Sequence, residues 1–160
     1  MTENEFVSSV KRNNQRLYLL ALSFTQNHSD AEDIMQNVFV KLWRYGKPFE
    51  NESHIDKWLT VVCVNESKDF IKNPFRKRSV PIDELIHLSV SDKSENIDLL
   101  KAVMSLPVKE RIVVHLFYYE DLSVIQIAGV LSIKESAVKT RLFRARKKLK
   151  EILGDEWINE

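Results

Sequence analysis

Residues 122–149, LSVIQIAGVLSIKESAVKTRLFRARKKL, decide how the chain is read. Ser123 stands three residues before Gln126, the spacing of a capping box, and opens a short apolar helix that ends at Leu131. Ser132-Ile133-Lys134 makes a tight turn, and a longer helix follows from Glu135 to about Leu153. Ile127, Leu131, Ile133, Val138 and Leu142 supply a shared core, and small Ala128 lets the two helices cross closely. This is the pattern of a helix-turn-helix, whose second helix enters the DNA major groove. Lys139, Thr140, Phe143 and Arg144 recur at i, i+1, i+4 and i+5 and project from nearly one face. Arg and Lys read guanine edges, and Thr or Phe touches a thymine methyl. Arg141 adds a further cation on this helix. Arg146, Lys147, Lys148 and Lys150 lie further along and suit phosphates.

Charge supports the same reading. The 160-residue chain has a formal net charge of only +1, but Lys134–Lys150 holds eight basic residues against one acid, Glu135. That segment is therefore +7 and the other 143 residues sum to −6. A solvated helix face is the commonplace origin of a charge run. The density of this one points to a polyanion, and the acidic remainder suits a basic protein surface.

Upstream, the chain reads as a second helical block. Phe6, Val10, Leu17, Leu20, Ala21 and Phe24 fall at helical spacing within residues 5–26. Ser29 with Glu32 predicts a capping box, and Ala31, Ile34, Met35, Val38, Phe39 and Leu42 form one apolar stripe, ended by Gly46 and Pro48. Ser53 with Asp56 predicts the next helix start, followed by Ile55, Trp58, Leu59, Val62 and Cys63 and continuing to Ile71. From Asn73 to about Asn96 the periodicity fails around Pro74 and Pro81. Ile97, Leu100, Val103 and Met104 start the second block, and Pro107 fits the first turn of a helix running to about Tyr119. The expected fold is all-α: two small helical domains, 1–72 and 97–160, joined by a flexible linker, 73–96, the second domain carrying the helix-turn-helix.

Other classes find little support. One cysteine, Cys63, excludes an intramolecular disulfide, and an apolar stripe is the place of a buried small hydrophobe. The apolar run Leu17–Leu22 is far short of the ~20 residues that span a bilayer. A reducing, cytoplasmic setting is expected. His28, His54, His87 and His115 have no catalytic or metal-ligand partners at a motif spacing, and there is no glycine-rich phosphate loop. Asp30, Glu32 and Asp33 are helix-start acids favoured by the macrodipole. No enzymatic activity, cofactor, metal or small-molecule substrate is expected. Trp58 reads as core; Phe39 and Trp43 fit either core or rim.

These motifs resemble a known family. Residues 122–149 resemble region 4, the −35-recognition domain, of bacterial RNA polymerase sigma factors. Residues 29–43, SDAEDIMQNVFVKLW, resemble the region 2 helix that docks on the polymerase clamp. Trp58-Leu59 with Asn65 and Asp69 is similar to the following segment, which engages the −10 element. Two such blocks and a short linker are similar to the extracytoplasmic-function (ECF) group of the sigma-70 family. The resemblance implies promoter-specific initiation with core RNA polymerase and promoter DNA as partners. It also implies an anti-sigma factor, often membrane-anchored, and nucleoid association when bound to polymerase. It places polymerase contacts at Asp33, Gln36, Phe39 and Arg44, beside the apolar stripe. It places −10 contacts at Asn65, Lys68 and Lys72, on one side of the third helix. The loop Lys47–Ser53 resembles the family's loop that captures a flipped −10 base, with Asn51 and Ser53 as polar edges; an ordinary polar turn explains it equally well. The −35 contacts fall on Lys139, Thr140, Arg141, Phe143, Arg144, Arg146 and Lys148.

The chain also departs from the family pattern. Ser132 replaces the usual turn glycine, Ala137 a common threonine, and Gly129 interrupts the first helix of the motif. The basic cluster expected after the −10 helix lies past Pro74, at Arg76, Lys77 and Arg78. Two other readings stay open on sequence alone. One is a stand-alone helix-turn-helix regulator whose N-terminal block dimerises; the other is a nucleic-acid-processing enzyme with a basic binding arm.

Overall fold

A computed structural model describes residues 1–73 and 94–154; side chains are described from residue 97 in the second stretch. All regular structure among these residues is helical, in two compact units divided between Ser79 and Val80.

The N-terminal unit is built from α1 (Glu3–Thr25), α2 (His28–Arg44) and α3 (Glu52–Lys72), each packed on the other two. Leu17, Leu20, Ala21, Leu22 and Phe24 of α1 meet Ile34, Val38 and Leu42 of α2 and Leu59, Cys63 and Val64 of α3, all almost fully buried. Cys63 is a core residue, and its thiol donates weakly to the Leu17 carbonyl at 3.7 Å. Two helix starts differ from expectation. Asn27, not Ser29, caps α2: its Oδ1 accepts from the Asp30 N–H at 2.9 Å, so the helix begins at His28. Asn51, not Ser53, caps α3, accepting from the His54 N–H at 2.8 Å. In both places an Asn two residues upstream offers the same short acceptor from extended backbone and captures the first turn. Asp56, read as a capping partner of Ser53, instead faces α1.

A polar seam joins α1 to α3. Asp56 Oδ1 accepts from Arg12 Nη2 at 2.8 Å and from Asn13 Nδ2 at 2.9 Å. Arg16 donates to Thr60 Oγ1, to Asn13 Oδ1 and to the Asp56 carbonyl at 2.7, 2.6 and 3.2 Å. Burial opposes ionisation of Asp56, but the hydrogen bonds from Arg12 and Asn13, with the charges of Arg12 and Arg16, hold its pKa below the ordinary aspartate value. On the far side of α3, Lys41 of α2 pairs with Glu66.

The C-terminal unit contains α4 (Ser94–Met104), α5 (Val108–Val114), α6 (Val124–Leu131) and α7 (Glu135–Leu153). The helix α4 begins at Ser94, three residues before Ile97, so 94–96 of the expected linker are helical; 74–93 lie outside the described residues. Arg76, Lys77 and Arg78 fall there too. Pro107 is the N-cap residue of α5, and Arg111 anchors that corner by donating to the Leu106 carbonyl at 3.0 Å. The helix continues past Val114 as a π-helical turn, His115–Tyr119. The Ser123–Gln126 capping box is formed in both directions.

Candidate promoter and polymerase interfaces

In α7 the apolar positions Val138, Leu142, Ala145 and Leu149 are buried against α5 and α6. Their 3.6-residue spacing turns Lys139, Thr140, Phe143 and Arg144 outward, and all four are exposed. Phe143 is 69% exposed, a large apolar ring in water on a cationic face. The turn from α6 to α7 is tight because Ser132 adopts the left-handed region, φ 57° and ψ 46°. The Ile133 N–H then reaches the Ala128 carbonyl at 3.0 Å. Glycine has the freer choice of this conformation, and Ser132 occupies it at a cost.

Three predicted −35 residues sit differently from the other four. Arg141 is half-buried on the side of α7 nearer α5. Arg146 Nε donates to the Tyr118 hydroxyl at 2.9 Å, with its guanidinium 5.4 Å from the Phe117 ring centre and 5.8 Å from that of Tyr118. Lys148 Nζ donates to Glu110 Oε1 at 3.0 Å. Burial resists ionisation of Glu110, yet this bond, a backbone hydrogen bond and the charges of Lys148 and Arg144 together hold its pKa below the usual value. Arg146 and Lys148 therefore flank the outward face, each engaged with the body of its own unit.

In the N-terminal unit, α1 and α2 leave an open, mainly apolar groove of about 850 Å³. Phe6, Val10 and Met35 line it with Phe39, Val40 and Trp43. Gln36 and Arg44 are exposed on its border, whereas Asp33 is exposed on α2 outside the lining. Phe39 is half-buried, and Trp43 is a rim residue, 54% exposed and edge-on to Phe6 at 5.1 Å.

The segment before α3 is organised by rings. Tyr45 and Phe49 pack on Trp58 at 4.9 and 5.7 Å, and His54 meets Phe49 edge-on at 5.1 Å. Trp58 is thus half-buried in this cluster. His54 Nδ1 also accepts from the Glu50 N–H at 3.1 Å. Asn51 spends its side-chain oxygen on the cap, and Ser53 is exposed in the first turn. Asn65 and Lys72 are exposed along α3, with Lys68 half-buried between them. Burial and the adjacent Lys72 charge lower the Lys68 pKa, with Asp69 opposing.

The sequence reading missed the Arg12–Asp56 seam, Glu110 as the partner of Lys148, and Tyr118 as that of Arg146. Arg12, Asn13 and Arg16 on one helix were the available sign of the first. The other two are long-range contacts without a local pattern. Among the described residues no group of three or more His, Cys, Asp or Glu is placed to hold a metal, and no helix is long and apolar enough to cross a membrane.

Known proteins share this arrangement. Residues 9–77 match the family model "Sigma-70 region 2", and residues 97–149 match "Sigma-70, region 4". The chain is 30% identical to RNA polymerase sigma factor SigV of Bacillus subtilis, covering 97% of this chain and 95% of that protein. The chain is an ECF sigma factor of the sigma-70 family. ECF RNA polymerase sigma factor SigM of Mycobacterium tuberculosis is 26% identical, covering 90% of this chain and 74% of that protein. Among solved structures, the sigma factor RpoE of Bartonella quintana, in complex with the anti-sigma factor NepR, matches with a TM-score of 0.66 at 21% identity. That match covers 93% of this chain and 96% of that one. CnrH, in complex with the cytosolic domain of CnrY, matches with a TM-score of 0.60 at 25% identity, covering 95% and 89%. This sigma factor directs transcription initiation with core RNA polymerase on promoter DNA. Sigma factors are non-enzymatic initiation factors, and family membership disfavours the stand-alone regulator.

Proposed function

We propose that the ECF sigma factor divides promoter recognition between its two units. The division is residues 1–72 for core polymerase and the −10 element, 73–96 as the connection, and 97–160 for the −35 element. The observation that carries the reading is α7: it buries Val138, Leu142, Ala145 and Leu149 while exposing Lys139, Thr140, Phe143 and Arg144. One face holds the helix on its domain, and the other presents donors and an apolar ring to a groove. Arg141, Arg146 and Lys148 serve its margins, where phosphates lie.

The exposed edge of α2, with Asp33, Gln36, Phe39 and Arg44, receives core polymerase beside the α1–α2 groove. Asn65, Lys68 and Lys72 follow the −10 strand along α3. The Asn51–Ser53 segment lies where an extruded base would be held, its shape set by the rings of Tyr45, Phe49 and Trp58. An anti-sigma factor, membrane-anchored in one form, restrains the protein by covering polymerase-binding faces. One solved relative, RpoE, carries the anti-sigma factor NepR, and another, CnrH, is bound to the cytosolic domain of CnrY. The protein acts in the cytoplasm and joins the nucleoid with polymerase. Run-off transcription with purified core polymerase on a promoter library tests the division. Changes on α7 should alter −35 preference only, and changes on α3 should alter −10 preference only.

A further inference from the structure

A second feature of the C-terminal unit lies outside the helix-turn-helix itself. Between α5 and the first turns of α7 is a polar pocket of about 360 Å³, lined by Lys109, Glu110, Ser136, Thr140, Arg141 and Arg144. Three cations, Lys109, Arg141 and Arg144, share the lining with one carboxylate, and that carboxylate is already bonded to Lys148 at 3.0 Å. The charge that remains is positive. Lys109 is exposed on α5 and, like Arg141, has no hydrogen-bond or ion-pair partner among the described residues. Arg146 and Lys148, by contrast, are engaged by Tyr118 and Glu110. Thr140 turns its hydroxyl proton back to the Ser136 carbonyl at 2.9 Å, which leaves its oxygen lone pairs but no proton for a ligand. The start of α7 adds to the positive potential, because Lys134 holds the N-cap position without making a side-chain cap. The lining contains no aromatic ring on which a base or nucleoside would stack.

We infer that this pocket seats one backbone phosphate of the promoter duplex, and that Lys109 is a DNA-contacting residue supplied by α5. The inference rests on the reading of α7 as the −35 helix. Arg144 reads a base edge from the outward face, while Lys109 and Arg141 grip the strand beside it. Glu110 gives the pocket its shape: by holding Lys148 it keeps that chain out of the seat. A contact of this kind sets register on the duplex and carries no base preference.

The test uses holoenzyme assembled from the full chain and core polymerase, on a set of −35 variants of one promoter, with single neutral methylphosphonates placed along the −35 strands of the parent. Lys109→Ala should weaken binding to all −35 sequences alike and lower the salt slope by about 0.9. Its deficit against wild type should therefore shrink about threefold between 50 and 200 mM salt. One methylphosphonate position should weaken wild type and weaken Lys109→Ala no further, and Lys109→Arg should restore the wild-type pattern. If every position weakens both proteins equally, or the slope is unchanged, the inference is wrong. Arg144→Ala in the same assay separates the two levels. An altered −35 preference there with a silent Lys109→Ala overturns the phosphate seat alone. No dependence on the −35 sequence in wild type overturns both.

Discussion

Lys148 of the DNA-facing helix donates to Glu110 of α5 at 3.0 Å, so a cation that the sequence assigns to DNA is already bound to its own domain. The Glu110 side chain is 12% exposed and that of Lys148 42%. The pair fastens α7 to α5 and offers DNA a charge that is partly spent. Lys148→Ala should reduce the salt slope of promoter binding by less than Lys147→Ala, whose side chain is exposed. Parallel salt titrations of the two holoenzymes check this.

The same pair makes stability depend on pH. The Glu110 pKa is lower folded than unfolded, so its contribution is complete at neutral pH and is lost as pH falls through the folded value. The window lies at and below the ordinary glutamate pKa of ~4.3. Thermal melts from pH 7 to 3 should show wild type losing more stability than Glu110→Gln. Equal losses would mean that the pair contributes nothing.

Asp56 gathers donors from Arg12 and Asn13 at the α1–α3 seam. Its removal takes from the buried Asn13 amide one of its two acceptors, the other being the Ser9 carbonyl, and takes from Arg12 its nearer carboxylate. Asp56→Ala should destabilise the N-terminal unit by ~1–3 kcal/mol in denaturant unfolding, and Asp56→Asn by less.

Two small changes should strengthen the helix-turn-helix. A Cβ at Gly129 would meet nothing within 4 Å, so Gly129→Ala should stabilise α6 by ~0.5–1 kcal/mol. Ser132→Gly should relieve the left-handed φ of 57° by a similar amount, roughly 0.5–1 kcal/mol after the added freedom of the unfolded chain is set against it. Chemical denaturation of each variant checks both.

Much of this architecture was legible from residue patterns. The stripe from Ala31 to Leu42 and the inward set on α7 follow helical periodicity, so α2 and α7 and their buried faces could be read directly. The Ser123–Gln126 box was readable because cap and partner are three residues apart. Ser29 and Ser53 failed as caps because competing asparagines stood just upstream, and composition does not rank two good caps. The outward face of α7 was legible for Lys139, Thr140, Phe143 and Arg144. The pairing of Arg146 and Lys148 was not, since Tyr118 and Glu110 lie 28 and 38 residues away and meet them only through tertiary packing.

The polymerase face is open to a direct test. Asp33 and Gln36 are exposed on α2, whose hold on the core comes from Ile34, Val38 and Leu42. Asp33→Lys with Gln36→Ala should lower co-purification with core polymerase while helicity by circular dichroism stays unchanged. Wild-type co-purification would remove these residues from the docking face.

The central claim is that α7 selects the −35 element within a polymerase-dependent initiation factor. The most direct measurement is run-off transcription by holoenzyme on a −35 library, comparing wild type with Arg144→Ala. The account predicts transcripts only when core polymerase and this chain are both present. It also predicts a changed −35 preference for Arg144→Ala, by ~1–3 kcal/mol at the affected base pair, with the −10 preference intact. An unchanged −35 preference, or sequence-specific duplex binding by the chain alone with no transcription, would contradict it.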